Sequence, residues 1–246
     1  MSYRSGNISY FFGGPATRTV KLLIVANIAA FVLQLLSRLA RADLLVPYFG
    51  LIPSRVTHEL MIWQFVTYMF LHGGFGHILV NMLTLYMFGN DLERHWGTVR
   101  FVKYYLITGV GAGLCSYLIA IDSESATIGA SGAIYGLLLA YGLTYPNRIV
   151  YLQFLLPIKV KWLVVIMGAM AFYASLTNSE PGVANIAHLG GMLVGYLYLR
   201  GPYWLGRFEE FRVRRRREEL KRQFEVYYGD LRRKIDEENK KGPTIH

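Results

Sequence analysis

Cysteine occurs once, at Cys115 inside an apolar run, so no intrachain disulfide can form and no redox pair exists. The residue reads as a small buried hydrophobe. Charge is scarce as well: Asp, Glu, Lys and Arg make up 17% of the 246 residues, against about a quarter in ordinary soluble domains. Apolar residues reach 53% and the mean hydropathy is +0.30, which places the chain in the membrane class. The opening MSYRSGNISYFFGGPATRTV lacks a compact apolar core followed by a small-residue cleavage site, so no removable signal peptide is expected. Internal repeats and low-complexity tracts are missing too, which argues against a transporter built from inverted halves. Most telling, the long apolar stretches hold no Asp or Glu. A Ser-His-Asp triad inside them is thereby disfavoured, and a Ser-His pair is the most they can offer.

What is present is a series of six apolar stretches, about Thr19–Leu39, His77–Phe88, Phe101–Ile121, Gly129–Tyr145, Trp162–Leu176 and Val183–Leu199. Several are shorter than the roughly 20 residues that span a bilayer, and short helices leave a water-accessible notch. The fold class expected is all-α: a polytopic bundle of six transmembrane helices with a partly submerged first outer loop. That loop carries a 12-residue apolar run, Leu60–Leu71, too short to span. IVYLQFLLPIKVK, before the fifth stretch, is expected at the interface. Residues 1–18 form an N-terminal cytoplasmic segment, 19–200 the six-helix domain and 201–246 a basic, helical cytoplasmic tail. Lys and Arg concentrate before the first stretch, after the second and fourth, and beyond the sixth, which puts both termini in the cytoplasm. Arg38, Arg41 and Arg55 make the first outer loop more basic than that rule prefers. Of the 26 Lys and Arg, 13 lie beyond residue 200, offset there by nine acidic residues. Beside an apolar body, such an excess points to an anionic lipid surface and not to nucleic acid. Leu220, Phe224, Tyr227, Leu231 and Ile235 recur at helical spacing within it, so the tail is either a solvated helix or one docked on lipid.

Polar groups inside membrane stretches are costly, so each is a candidate site. Ser131 lies in the fourth stretch, in IGASGAIYG; His77 and Asn81 lie in the second; His188 lies in the sixth. Ala184, His188, Gly191 and Gly195 share one helical face, and Gly132 and Gly136 form a small-xxx-small stripe beside Ser131 and Tyr135. Small residues on facing helices let backbones approach until short side chains touch. A hydroxyl and an imidazole need about 2.6–3.2 Å for proton transfer, so the packing and catalytic readings of this stripe are compatible. His77 and Asn81, one turn apart, can aim two N–H donors at a developing oxyanion, with the Ser131 backbone N–H as a third. Stacking of Tyr135 on an imidazole would orient it without a carboxylate. Each residue alone also has a plain reading: a packing serine, a hydrogen-bonded bundle histidine, a cross-helix amide. His72 and His77 lack a third ligand at motif spacing, so no metal is expected; no cofactor is expected either.

These residues together resemble the rhomboid family of intramembrane serine proteases, over about Val46 to Leu199. The resemblance rests on GASGAIYG, HGGFGHILVNM and ANIAHLGG, with WQFVTYMFLH similar to the family's submerged first loop, although Trp63-Gln64 stands where many members have Trp-Arg. It implies an intramembrane serine endopeptidase with Ser131 as nucleophile and His188 as general base. Asn81 and His77 become oxyanion donors, Tyr135 stacks on His188, and Gly129 lies at the base of the active-site opening. His72 matches a histidine associated with water in the submerged loop. The implied partners are single-span membrane proteins and the lipid bilayer, the implied location a bacterial inner membrane. TNSEPG, beside His188, is expected to act as a lid. A non-catalytic relative that binds client helices is the rival reading.

Overall fold

A computed structural model describes residues 15–42, 44–152, 156–177 and 182–240. It divides into two compact units, Met1–Leu199 and Arg200–His246. The body begins with α1 (Arg18–Leu39), followed by three short helices, α2 (Leu45–Phe49), α3 (Pro53–Glu59) and α4 (Gln64–Thr67), and a 3-10 turn, Tyr68–Phe70. Next come α5 (Phe75–Thr84), which continues through a π-helical stretch Leu85–Gly89 into α6 (Asn90–Trp96), then α7 (Thr98–Ile119) and α8 (Ser131–Thr144). A hairpin of β1 (Ile149–Leu152) and β2 (Leu156–Lys159) leads to α9 (Val160–Leu176), and α10 runs Gly182–Lys240.

Each of the six apolar stretches falls on a helix. Two of those helices, α1 and α7, are long and apolar enough by themselves to cross a bilayer, whereas α8 and α9 are shorter. Breaks have local causes. Gly97, at φ +78°, turns the chain between α6 and α7 in a conformation open to glycine. Tyr145 ends α8 because Pro146 disfavours helical geometry in the residue before it. Cutting off the helix there is what admits the hairpin.

Of the described residues 79% are helical, in line with the all-α class expected, and one short hairpin is added to the helices. The segment expected as an interfacial run forms an antiparallel hairpin, not foreseen from the sequence, with Val150 opposite Ile158 and Tyr151 opposite Pro157. β-Branched residues favour such pairing, and Pro157 is tolerated because a two-stranded ribbon has only edges. The last helix runs from the sixth apolar stretch into the basic tail, Gly182–Lys240. Residues 1–14 of the expected N-terminal segment lie outside the described residues.

α8 is apolar all round, as suits a central helix. Its neighbours approach at backbone distance: a Cβ on Gly132 would lie 2.6 Å from Ala112 Cβ, and one on Gly136 2.7 Å from Thr108 Cβ. Around this centre, α1 exposes Leu22, Val25, Val32 and Leu36, and α9 exposes Trp162, Val165, Met170 and Phe172. Continuous apolar surface of that kind suits a lipid surrounding. The end of the body near the C-terminus of α8 is tied by polar groups. Tyr141 donates to Asp91 Oδ2 at 2.9 Å and Arg148 Nη1 donates to the same oxygen at 2.6 Å. Glu93 accepts from Thr98 at 2.7 Å and from Thr17.

Candidate active site

The segment entering α8 is fixed before the helix begins. Leu51 and Thr127 exchange backbone hydrogen bonds at 3.0 and 2.8 Å, and the Gly129 N–H donates to Tyr68 O at 2.9 Å. Gly129 has φ +124°, a conformation that side chains oppose. A Cβ there would also lie 2.8 Å from Cε1 and Nε2 of the His77 ring. Glycine is therefore required twice over, by backbone and by space. Ser131 follows as the first residue of α8, where its own N–H has no intrahelical acceptor.

Close packing of α8 and α10 brings in the imidazole. A Cβ on Gly191 would overlap Gly132 O and lie 2.8 Å from Gly132 C. At that backbone separation, His188 Nε2 and Ser131 Oγ are 2.7 Å apart. Tyr135, one turn along α8, stacks on the His188 ring at 4.3 Å between centroids and 2° between planes. Ser131, His188 and Tyr135 are half-buried, while Gly129 is buried. A hydroxyl hydrogen-bonded to an imidazole that is held in one plane is an arrangement able to generate an alkoxide-like nucleophile.

On α5, His77 and Asn81 are one turn apart. His77 reaches Gly129, as above, and lies edge-on to the fully buried His72 at 5.0 Å between centroids. Asn81 is buried, and among the described residues its Nδ2 has no hydrogen-bond partner. Among the described residues no group of three metal-ligating side chains occurs. Of the segment expected as a lid, residues 178–181 lie outside the described residues.

Two further residues position this cluster. Gln34, 1% exposed on α1, accepts from the His72 backbone N–H at 2.9 Å and donates to His72 O at 3.4 Å. Tyr68 takes the Gly129 N–H on its carbonyl and donates its hydroxyl to Gly109 O at 2.7 Å. Gln34 had a signal in the sequence, an amide in the middle of an apolar stretch. Tyr68 had none that distinguishes it from an ordinary core aromatic. Gln64, beside Trp63, is also internal: its Oε1 accepts the Ile52 N–H at 2.9 Å and its Nε2 donates to Pro47 O at 3.2 Å, bracing the loop between α1 and α5.

The sequence also has known relatives. The chain is 31% identical over 166 residues to RHOMBOID-like protein 5 of Arabidopsis thaliana, covering 63% of this chain and 50% of that protein. RHOMBOID-like protein 2 of the same plant is 37% identical over 143 residues, 58% of this chain and 43% of the relative. Rhomboid protease GluP of Bacillus subtilis is 28% identical over 195 residues, 78% of this chain and 36% of the relative. The chain thus spans half or less of the length of these relatives. A Rhomboid domain model matches residues 59–202, more than half the chain and the whole of the cluster around Ser131, and the chain therefore belongs to the rhomboid family.

Proposed function

We propose that the protein is an intramembrane serine endopeptidase that cleaves membrane-spanning segments of single-span proteins. The observation that carries this reading is the 2.7 Å contact of His188 Nε2 with Ser131 Oγ, in the family shown by the domain match. The Ser131 hydroxyl donates to a neutral His188, which takes its proton as Oγ attacks the scissile carbonyl. The oxyanion is held by the free amide of Asn81, the His77 ring and the Ser131 N–H. The tetrahedral species collapses to an acyl-enzyme, the leaving amine takes the proton from His188, and water releases the second product. Stacked Tyr135 holds the imidazole in plane, where a soluble triad would use a carboxylate. Gly129 leaves room for His77, His72 braces it from behind, and Gly191 keeps α8 and α10 in reach. Half-burial of Ser131 and His188 leaves them open to the water that deacylation needs. No metal or cofactor has a part in this scheme.

In this proposal all six apolar helices span the bilayer, and the loop between α1 and α5 is partly submerged. Both termini are cytoplasmic, in a bacterial inner membrane. Residues 1–18 precede the bundle, 19–200 form the protease domain, and 201–246 form a cytoplasmic basic helix able to meet anionic lipid. Nucleic acid is not a partner.

The test is cleavage of a single-span substrate by purified protein, with fluorophosphonate labelling alongside. Ser131→Ala and His188→Ala are each expected to remove cleavage with the fold intact, since the pair acts as one unit. Wild-type protein should label and Ser131→Ala should not. Cleavage by Ser131→Ala at the wild-type rate would end this reading. A wild-type protein that neither labels nor cleaves would make it a non-catalytic binder.

A further inference from the structure

Away from Ser131, between α5, α8, α9 and the hairpin, lies a groove of about 310 Å³. Leu83, Met87, Leu138, Val150, Leu163 and Met167 supply most of its lining. Thr84 also lines it, but its hydroxyl donates to Val80 O at 2.7 Å and makes no demand on an occupant. From Val80 on α5 to Met87 in the π-helical stretch that follows it, this wall runs about 10 Å at roughly 1.5 Å per residue. That is most of one leaflet of a hydrocarbon core about 30 Å thick.

One end of the groove is marked as an interface by its side chains. Trp162 is 55% exposed, Tyr151 41%, and Ile149 and Leu156 on the hairpin 56% and 60%. Exposed Trp and Tyr at the end of an apolar surface sit at headgroup depth. The charges there are unbalanced. Arg148 is engaged by Asp91 at 2.6 Å. Lys159, at the N-cap of α9, and Lys161, in its first turn, are both exposed, and among the described residues neither has a carboxylate partner. Lys161 Nζ lies over the Trp162 ring, 5.6 Å from its centroid. Leu163, in the groove wall, is one turn from Lys159. The N-terminal end of α9, which carries these two lysines, is thus the basic end of an apolar slot whose wall covers most of one leaflet.

We propose that this groove binds one acyl chain of an anionic phospholipid, with the lipid phosphate on Lys159 and Lys161. The inference rests on the bundle lying in a bilayer and not on the chemistry at Ser131. An acyl chain fits a lining without unsatisfied polar atoms, and the lysine pair selects an anionic headgroup over a zwitterionic one by roughly tenfold.

The experiment uses the full chain reconstituted in phosphatidylcholine vesicles containing a minority of phosphatidylglycerol, then extracted gently. Native mass spectrometry counts the phospholipids retained. Wild-type protein should keep phosphatidylglycerol over phosphatidylcholine by roughly tenfold after correction for bulk composition. Lys159→Ala/Lys161→Ala, two surface changes, should erase that preference while a lipid is still retained. Leu83→Trp, which fills the slot, should lose the retained lipid; circular dichroism and melting temperature check its fold. Equal retention of both lipids by wild type means an ordinary lipid annulus and overturns the proposal. So does a preference unchanged in the double lysine variant, which would assign it to the tail beyond residue 200. Because no step reads cleavage, failure here leaves the protease reading untouched, and failure of the Ser131 test leaves this one standing.

Discussion

Replacing Gly191 by alanine adds one methyl group, and the structure says where it goes. The new Cβ would overlap Gly132 O and lie 2.8 Å from Gly132 C, where ordinary contact is 3.4–4 Å. Both atoms are backbone, so no side chain can rotate away; α10 must move from α8 by about 1 Å, a shortfall small for packing but large for proton transfer. His188 is one turn earlier on the same helix, so its 2.7 Å contact with Ser131 opens by a similar amount. That exceeds the roughly 3.2 Å limit for direct transfer, and a misplacement of about 1 Å costs on the order of 10²-fold in rate. The assay is cleavage of a single-span substrate under conditions that separate kcat from KM. We expect kcat to fall by about 10²-fold and KM to change little, with stability lower by about 1–3 kcal/mol from overpacking. Gly201→Ala, where a Cβ meets nothing within 4 Å, is the control and should cleave normally. Wild-type kcat in Gly191→Ala would refute the claim that backbone contact of α8 and α10 sets the Ser131–His188 distance.

Asn81→Ala should lower kcat by roughly 10²-fold with little change in KM, and His77→Ala less, since water can replace a ring N–H; unchanged turnover in the double variant would remove both from the oxyanion site. Glu93 offers a stability test. Burial raises its carboxyl pKa, but hydrogen bonds from Thr17, Thr19, Thr98 and the Val20 N–H outweigh this and hold it below the usual carboxylate range. A depressed folded pKa stabilises above the unfolded value and is lost as pH falls through the folded one, so the melting temperature should drop on acidification below about pH 4.3. Glu93→Gln should cost about 1.5–3 kcal/mol near neutrality and flatten that acid limb; an identical acid limb in the variant would exclude Glu93 as its source. Truncation after Tyr203 should leave cleavage largely intact, because Ser131, His188 and the side chains placed around them all precede residue 200. Loss of activity in a folded truncation would make the tail a regulatory element.

Helix positions were legible because apolar stretches between glycines, prolines and charges report local energetics. The stop at Tyr145 before Pro146 and the helical character of the tail needed only nearest-neighbour chemistry. The hairpin was missed because IVYLQFLLPIKVK is a short apolar run, whose periodicity does not separate strand from interfacial segment. What decided it was a partner strand, a contact that composition does not carry. The continuation of α10 past Leu199 has the same character: Gly201-Pro202 and the change from apolar to basic residues read as a boundary, yet the helix runs through them.

At the site, the identity of Ser131, His188, His77 and Asn81 as candidates came from one rule, that polar groups in an apolar stretch need a reason, and Tyr135 followed from its place one turn from Ser131, where a ring can stack on an imidazole. Small residues around them likewise announced close helices. Only the tertiary structure decided the distances: His188 at 2.7 Å from Ser131, the parallel stack on Tyr135, and His77 against Gly129. Gln34 holding His72 and Tyr68 holding Gly129 across 38 and 61 residues of chain belong with them. Residue type and spacing are local and set which face of a helix a group occupies. Which face meets which is set by the packing of whole helices, and a hydrogen bond across that packing depends on a separation of a few tenths of an ångström that no local pattern encodes.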